Sequence, residues 1–351
     1  MRIGFKKIIA LLLIPQVLIL YYLKNNPRIV EEYYSEYIYQ YIFKYYSMLF
    51  SGFSIAIGDL IFFLAFISFV IYFIFFFRFK KNDFVNIIAV ISIIIFLFYS
   101  LWGLNYFKTP LISKLNISEV NYESLEKTLT ELINDVNQIH LSLGDENITI
   151  NDLEFDKEKV ISELKLNNVN KFNKIPTTKF VKKSILPELY LYQGVSGYIN
   201  PFTLEAIVVK KIPSIDFVIT VLHEQAHQLG YAAEEDANFL AFISSINNQD
   251  PLVKYSGYVF GLTFFLNEIQ INHKENLSLF TDKINPGIID DMKSRRKFWA
   301  KYSNNIINDV HSILYNFYLK SNNQKSGIRS YSRILNHIVN YYENDKSLLN
   351  Y

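Results

Sequence analysis

Residues 221–242 read VLHEQAHQLGYAAEEDANFLAF. His223 and His227 stand four apart, Glu224 follows the first, Gly230 comes three after the second, and an acidic run from Glu234 leads into Ala237 and Asn238. Phe217, Val218, Val221, Leu222, Gln225, Ala226 and Leu229 supply apolar and neutral positions that predict a helix over 215–229. On a helix with ~3.6 residues per turn, side chains four apart project from one face. Two imidazoles so placed both reach one Zn²⁺ at ~2 Å. Glu224 lies on the same rim, where a carboxylate takes a proton from water held by the metal.

Gly230 is expected to end this helix, since a left-handed residue there costs glycine little. A second helix is expected over 233–245, and on it Glu234 and Asn238 again share a face. If that face meets the first helix, Glu234 is the third ligand, with Glu235 its rival. Asn238 is then placed to hydrogen-bond the free ring nitrogen of a ligand histidine. Ala237 and Ala241 are small enough for close approach, and Glu235 and Asp236 are expected to face solvent. Three protein ligands leave a fourth position open, which marks a catalytic rather than a structural site. The plain alternative is a surface helix on which two histidines and a glutamate coincide. Against it stand the apolar run before the motif, the glycine, the Glu-x-x-Ala-Asn after it, and a total of only six histidines.

The rest of the chain bears on where this site would work. Of 351 residues, 50% are hydrophobic and 17% aromatic, too apolar for an ordinary soluble protein and suited to a few membrane spans with a soluble remainder. A formal charge of +2, with no basic stripe carrying interleaved aromatics, argues against nucleic acid as a partner. Cysteine is absent, so any metal must be held by histidine and carboxylate.

Three stretches, at about 8–23, 55–77 and 84–104, are apolar enough to approach or reach the ~20 residues that cross a bilayer. The first is short and holds Pro15 and Gln16; it has the build of a signal peptide, but no small-residue cleavage site follows, so it reads as a retained anchor. Trp102 and Tyr106 suit an aromatic belt at the end of the third. Arg2, Lys6 and Lys7 lie on the same side as Arg78, Lys80 and Lys81, which makes that side cytoplasmic and everything after Asn105 extracytoplasmic. The tyrosine-rich segment between the first two spans is amphipathic and suits the membrane surface.

Residues 1–107 are therefore read as the anchor and 108–351 as a soluble domain. Helices are expected over 120–143, with Leu125, Leu129 and Leu132 on one stripe, and over 156–166. Residues 171–194 look irregular, and LEAIVV at 204–209 is a short β-prone run. Residues 250–273 are apolar but bracket only ~13 residues between charges, which favours a core helix over a fourth span. Two or three helices are expected over 286–342.

HEQAH with the later Glu-x-x-Ala-Asn resembles the gluzincin branch of the zincin metallopeptidases. In that branch a glutamate on a second helix completes the site, which implies Zn²⁺ held by His223, His227 and Glu234, with Glu224 as general base. Metzincins share a glycine at this place, but Ala233 stands where their third histidine would be. The wider set PFTLEA (201–206), HEQAHQLGYAAEEDANFLAF (223–242), WGLNY (102–106) and YLKSNNQKSGIRSY (318–331) looks like a family of bacterial membrane proteins, a domain of unknown function placed with the zincin peptidases. Leu204 stands where that run would carry glycine. The resemblance implies a substrate-pairing edge strand beside the site helix, for which Leu204, Glu205, Ala206, Ile207 and Val208 are the candidates, an interior strand being the alternative. It also implies an oxyanion donor, with Tyr331 preferred over His273 and Arg329. His140, His311 and His337 read as structural or exposed.

The sequence thus predicts a mainly α membrane protein: three N-terminal transmembrane helices, then a zincin-like α+β domain with a small sheet and an HExxH helix. Its expected activity is zinc-dependent hydrolysis of a peptide or protein near the lipid bilayer. The alternative is a non-catalytic metal- or peptide-binding envelope sensor or scaffold. Nothing in the sequence indicates an oligomeric state.

Overall fold

The computed structural model describes residues 4–78, 80–111, 120–166, 181–322, 324 and 331–344, with backbone alone at 81 and 331–333. Among them, three helices are long and apolar enough to cross a membrane: Phe5–Lys24, Ile57–Phe76 and Asn82–Leu101. The first packs on the third, and Gln16 Nε2 donates to Ser92 Oγ at 3.0 Å across that contact. A helical run over 27–50 joins the first two spans. Val30, Tyr34, Tyr39 and Phe43 on one side of it are buried, while Tyr33, Tyr37, Tyr41 and Tyr45 on the other are exposed.

The hydrophobic core does not stop at residue 107. It takes in Val30, Tyr34, Tyr39 and Phe43, continues through Trp102, Tyr106 and Phe107, and extends into the helices that follow. Trp102 and Tyr106 therefore do not form a lipid-facing belt as expected: both are buried against the following helices. The reason is a hydrogen bond, Trp102 Nε1 to the carbonyl of His227 at 3.0 Å, which gives a buried indole N–H its partner.

Helix Tyr122–Leu141 is capped by Asn121, whose side chain accepts from the Ser124 N–H, and it buries Leu125, Leu129 and Leu132. Helix Pro251–Asn272 buries Val259, Leu262, Phe265 and Ile269 among its neighbours and is a core helix. A short helix, Leu277–Thr281, follows, and the expected C-terminal part then holds helices Pro286–Ala300, Ile306–Ser321 and Tyr331–Glu343. Residues 171–180 lie outside the described residues, but 181–194 are not irregular: they form strand β1 (Val181–Lys183) and a helical turn, Pro187–Tyr192.

The sheet has the order β1-β3-β2, with β2 at Gly197–Ile199 and β3 at Ala206–Val208. β3 pairs parallel with β1 and antiparallel with β2. The run Leu204–Val208 is thus not an edge. Both sides of β3 are hydrogen-bonded, Ile207 and its neighbours are fully buried, and no peptide can add there. Leu204 itself has φ +56°, the left-handed conformation that glycine adopts without strain. Its residue type departs from expectation where the backbone would favour the expected one.

Glu205 is bound to its place by charge. Its carboxylate accepts from Lys182 Nζ at 2.7 Å and from the backbone N–H groups of Ile57 and Gly58, while Lys182 also reaches the Phe50 and Ile55 carbonyls. A buried carboxylate at the N-terminus of the second span satisfies two of its orphan N–H groups and suits the helix dipole.

Candidate metal centre

Two helices meet at the bend, Ser214–Gln228 and Glu234–Ile246. The first closes as a Schellman motif: Gly230, at φ +82°, donates to the His227 carbonyl and Tyr231 donates to that of Ala226. A Cβ on Gly230 would lie 2.9 Å from Asn105 Oδ1, so glycine is required by conformation and by space. Two carbonyls of this last turn are also held from the N-terminal part of the chain, that of His227 by Trp102 and that of Gln228 by Tyr39 Oη at 2.7 Å. Ala237 and Ala241 are fully buried where the second helix lies against its neighbours.

The bend brings together His223, His227 and Glu234, whose ligand atoms lie within 4.8 Å of one another, the one such group among the described residues that could hold a metal ion. His223 Nε2 is 3.3 Å from Glu234 Oε2, and His227 Nε2 is 3.7 Å from Oε1. Tetrahedral ligands at ~2.0–2.1 Å from a zinc ion stand roughly 3.3 Å apart, so the donor set and its spacing fit such an ion. His227 Nδ1 donates to the Tyr231 carbonyl at 2.7 Å, which leaves its Nε2 lone pair toward Glu234. For His227 the chain supplies this support through a backbone carbonyl. Asn238 lines the cleft beside His223 and favours its protonated form, although His223 Nδ1 has no close hydrogen-bond partner. Tyr315 Oη donates to Glu234 Oε1 at 2.7 Å and fixes the carboxylate from a third helix.

Electrostatics separate the groups. Burial pushes the Glu224 carboxyl up to about 8. Burial, reinforced by His223, holds His227 down at about 4. Burial would also raise Glu234, but its bond to His223, both imidazoles and Tyr315 hold it at about 2. His223 is raised against its burial by Glu234 and Glu224. Two groups are thus in ligating form at neutral pH, Glu234 ionised and His227 neutral. Glu224 is buried, and its Oε2 has no hydrogen-bond partner.

These groups open onto a cleft of about 580 Å³. One wall is β2, an edge strand among the described residues, lying against the first site helix. A Cβ on Gly197 would come within 2.5 Å of Thr220 Cγ2 and 3.0 Å of Glu224 Oε1, so only glycine lets the strand lie this close. The opposite wall is helix Ile306–Ser321, which presents His311, Ser312, Tyr315 and Tyr318.

Other expected roles fall out differently. Glu235 and Asp236 do not face solvent: both are buried, and Asp236 Oδ2 accepts from the Leu111 N–H at 3.0 Å while His337 Nε2 stands 3.7 Å from Oδ1. Glu235 is not among the clustered ligands. The Tyr331 side chain and Arg329 lie outside the described residues. His273 packs on Tyr122 at a tilt, with ring centroids 4.1 Å apart, and does not line the cleft. His140 and His337 are buried, whereas His311 lines the cleft and stacks on Tyr315 at 5.6 Å. Tyr315 and His311 were legible only as a stripe: 308, 311, 315 and 318 recur at helical spacing.

The molecule is thus a mainly helical protein with three candidate membrane-spanning helices, a small sheet and a His/Glu cluster. It belongs to the family described as "Protein of unknown function (DUF3810)", which matches residues 34–339. No curated protein and no solved structure matches the chain.

Proposed function

We propose that the chain is a membrane-anchored, zinc-dependent peptidase of zincin type, with its catalytic domain on the extracytoplasmic side. The observation that carries this reading is the convergence of His223, His227 and Glu234 at ligand spacing, with the buried carboxylate of Glu224, its Oε2 without a hydrogen-bond partner, beside them in an open cleft. A bound Zn²⁺ would supply Lewis acidity toward the scissile carbonyl and a more acidic water. His223, His227 and Glu234 would hold it, Tyr231 and Tyr315 keeping two of these ligands in orientation. Glu224 takes the proton of the attacking water and passes it to the leaving amine. A cation nearby favours its ionised form over the neutral one that burial imposes.

β2 takes over the substrate-pairing role expected of the 204–208 run. Its free edge borders the cleft, so an extended peptide laid along it would pass the site by strand addition. The orientation is supported by the ends of the spans. Ile57 and Trp102 contact the domain, whereas the Arg78–Lys81 loop lies at the opposite ends of the second and third spans, on the side that positive charge marks as cytoplasmic.

Metal content and peptide-library cleavage of the full chain in nanodiscs test the reading, with Glu224→Gln and His227→Ala alongside. Glu224→Gln is expected to keep its metal and lose at least ~10²-fold in cleavage; His227→Ala is expected to lose both. Full activity in Glu224→Gln would refute the mechanism, and metal without any cleavage in the wild type would leave a binding protein.

A further inference from the structure

Helix Ile306–Ser321 has two faces that do not agree with a soluble domain. The inner face carries His311, Tyr315 and Tyr318 into the cleft. The outer face carries Ile306, Val310, Ile313, Leu314 and Phe317, all exposed, with Ile306 at 78%, Ile313 at 70% and Phe317 at 72%. At ~100° per residue these five fall within roughly 100° of arc, centred about a third of a turn from the cleft face. In a soluble protein such a stripe faces the core, and an exposed one of this size marks an interaction surface.

The surroundings identify what covers it. The C-terminal end of the helix abuts the last turn of the third span: Tyr318 meets Phe98 ring to ring at 6.1 Å, and Tyr99 Oη donates to Asn322 Oδ1 at 2.8 Å. These contacts set the helix beside the end of the span while leaving its outer stripe uncovered. Asp309, Asn316 and Lys320 line one border of the stripe, as a polar rim does on a helix lying in an interface. The exposed row Tyr33, Tyr37, Tyr41 and Tyr45, which begins soon after the first span ends, suits the same headgroup level. The cleft lies beside the ends of two spans. Trp102, one residue past the third span, lines it, and Tyr198 on β2 is hydrogen-bonded to Asp59 near the start of the second.

We propose that the outer stripe of helix 306–321 is seated in the lipid bilayer interface, and that the cleft behind it takes polypeptide held at the membrane surface. The seat stands on the stripe alone; the substrate class rests on the peptidase reading. The chain has no cysteine, so single cysteines report cleanly. Ile313→Cys, Phe317→Cys and the exposed Lys127→Cys are placed in nanodiscs loaded with one chain each and treated with a charged, membrane-impermeant maleimide. Positions 313 and 317 are expected to react at least ~10-fold more slowly than 127, because lipid excludes the charged reagent. Equal rates overturn the proposal. So does protection that appears only with two chains per disc, which would make the occupant a second copy.

A reporter peptide with a lipid anchor, set against the same peptide free in solution, tests the substrate half. Faster cleavage of the anchored form supports it, and equal rates overturn it. If neither peptide is cleaved the peptidase reading fails, while the labelling still decides the seat.

Discussion

At the scale of single residues, proton competition sets when the cluster binds a metal. His223 is raised above the ordinary histidine value, Glu234 is held at about 2 and His227 at about 4. A ligand nitrogen must lose its proton to bind, so binding is full above the His223 pKa and weakens as pH falls through it. Between that point and about pH 4 His223 is the one ligand of the three that holds a proton, because His227 and Glu234 are still in ligating form; the neighbouring Glu224, up at about 8, holds its own. Zinc affinity is therefore expected to fall about tenfold per pH unit over this range, by one proton. Below about 4 the fall steepens as His227 joins. Titration calorimetry with a competing chelator on Glu224→Gln, which removes that carboxyl's own proton, measures the slope; a slope of two protons near pH 6 in this variant would show that the histidines are not distinguished in this way.

At the scale of the element, the bend between the two site helices decides the geometry. Gly230→Ala places a side chain at φ +82° and a Cβ 2.9 Å from Asn105 Oδ1. The conformation alone costs about 1–2 kcal/mol. Thermal unfolding in nanodiscs is expected to show at least that loss, with weaker zinc binding as Glu234 shifts. An unchanged midpoint would mean that the turn relaxes without strain. This element was also the most legible part of the sequence, because spacings of four and a glycine three residues on are local signals. Its neighbours were not. Helical periodicity says that Glu235 and Asp236 point away from Glu234, but not that Leu111 and His337 wait on that side. The β-prone run at 204–209 was visible, yet strand order is not local, and β3 became the centre of the sheet rather than its edge.

At the scale of the whole molecule, the anchor and the site are one body. The spans could be read from hydropathy. The site's closeness to them could not, because Trp102 and His227 are 125 residues apart in sequence. A fragment beginning at Lys108 would lose Trp102 and Tyr39 as donors to the last turn of the site helix and would expose the core faces they cover. Orphaned buried carbonyls cost about 1–3 kcal/mol each, and the lost burial of two large aromatic side chains adds to that. The fragment is expected to show no cooperative unfolding transition and no stoichiometric zinc, whereas the full chain shows both. A fragment that melts sharply and binds zinc would prove the two parts independent.

The indole and phenol that hold the site helix have a consequence for biogenesis. Ribosomes make Tyr39 and Trp102 well before His227, and a chain folds broadly in the order it emerges. The early segments will already have been handed to the translocation machinery when residues 214–246 arrive. On the proposed reading the histidine pair would then dock onto groups already in place, so that maturation of the cluster would be coupled to insertion of the early segments.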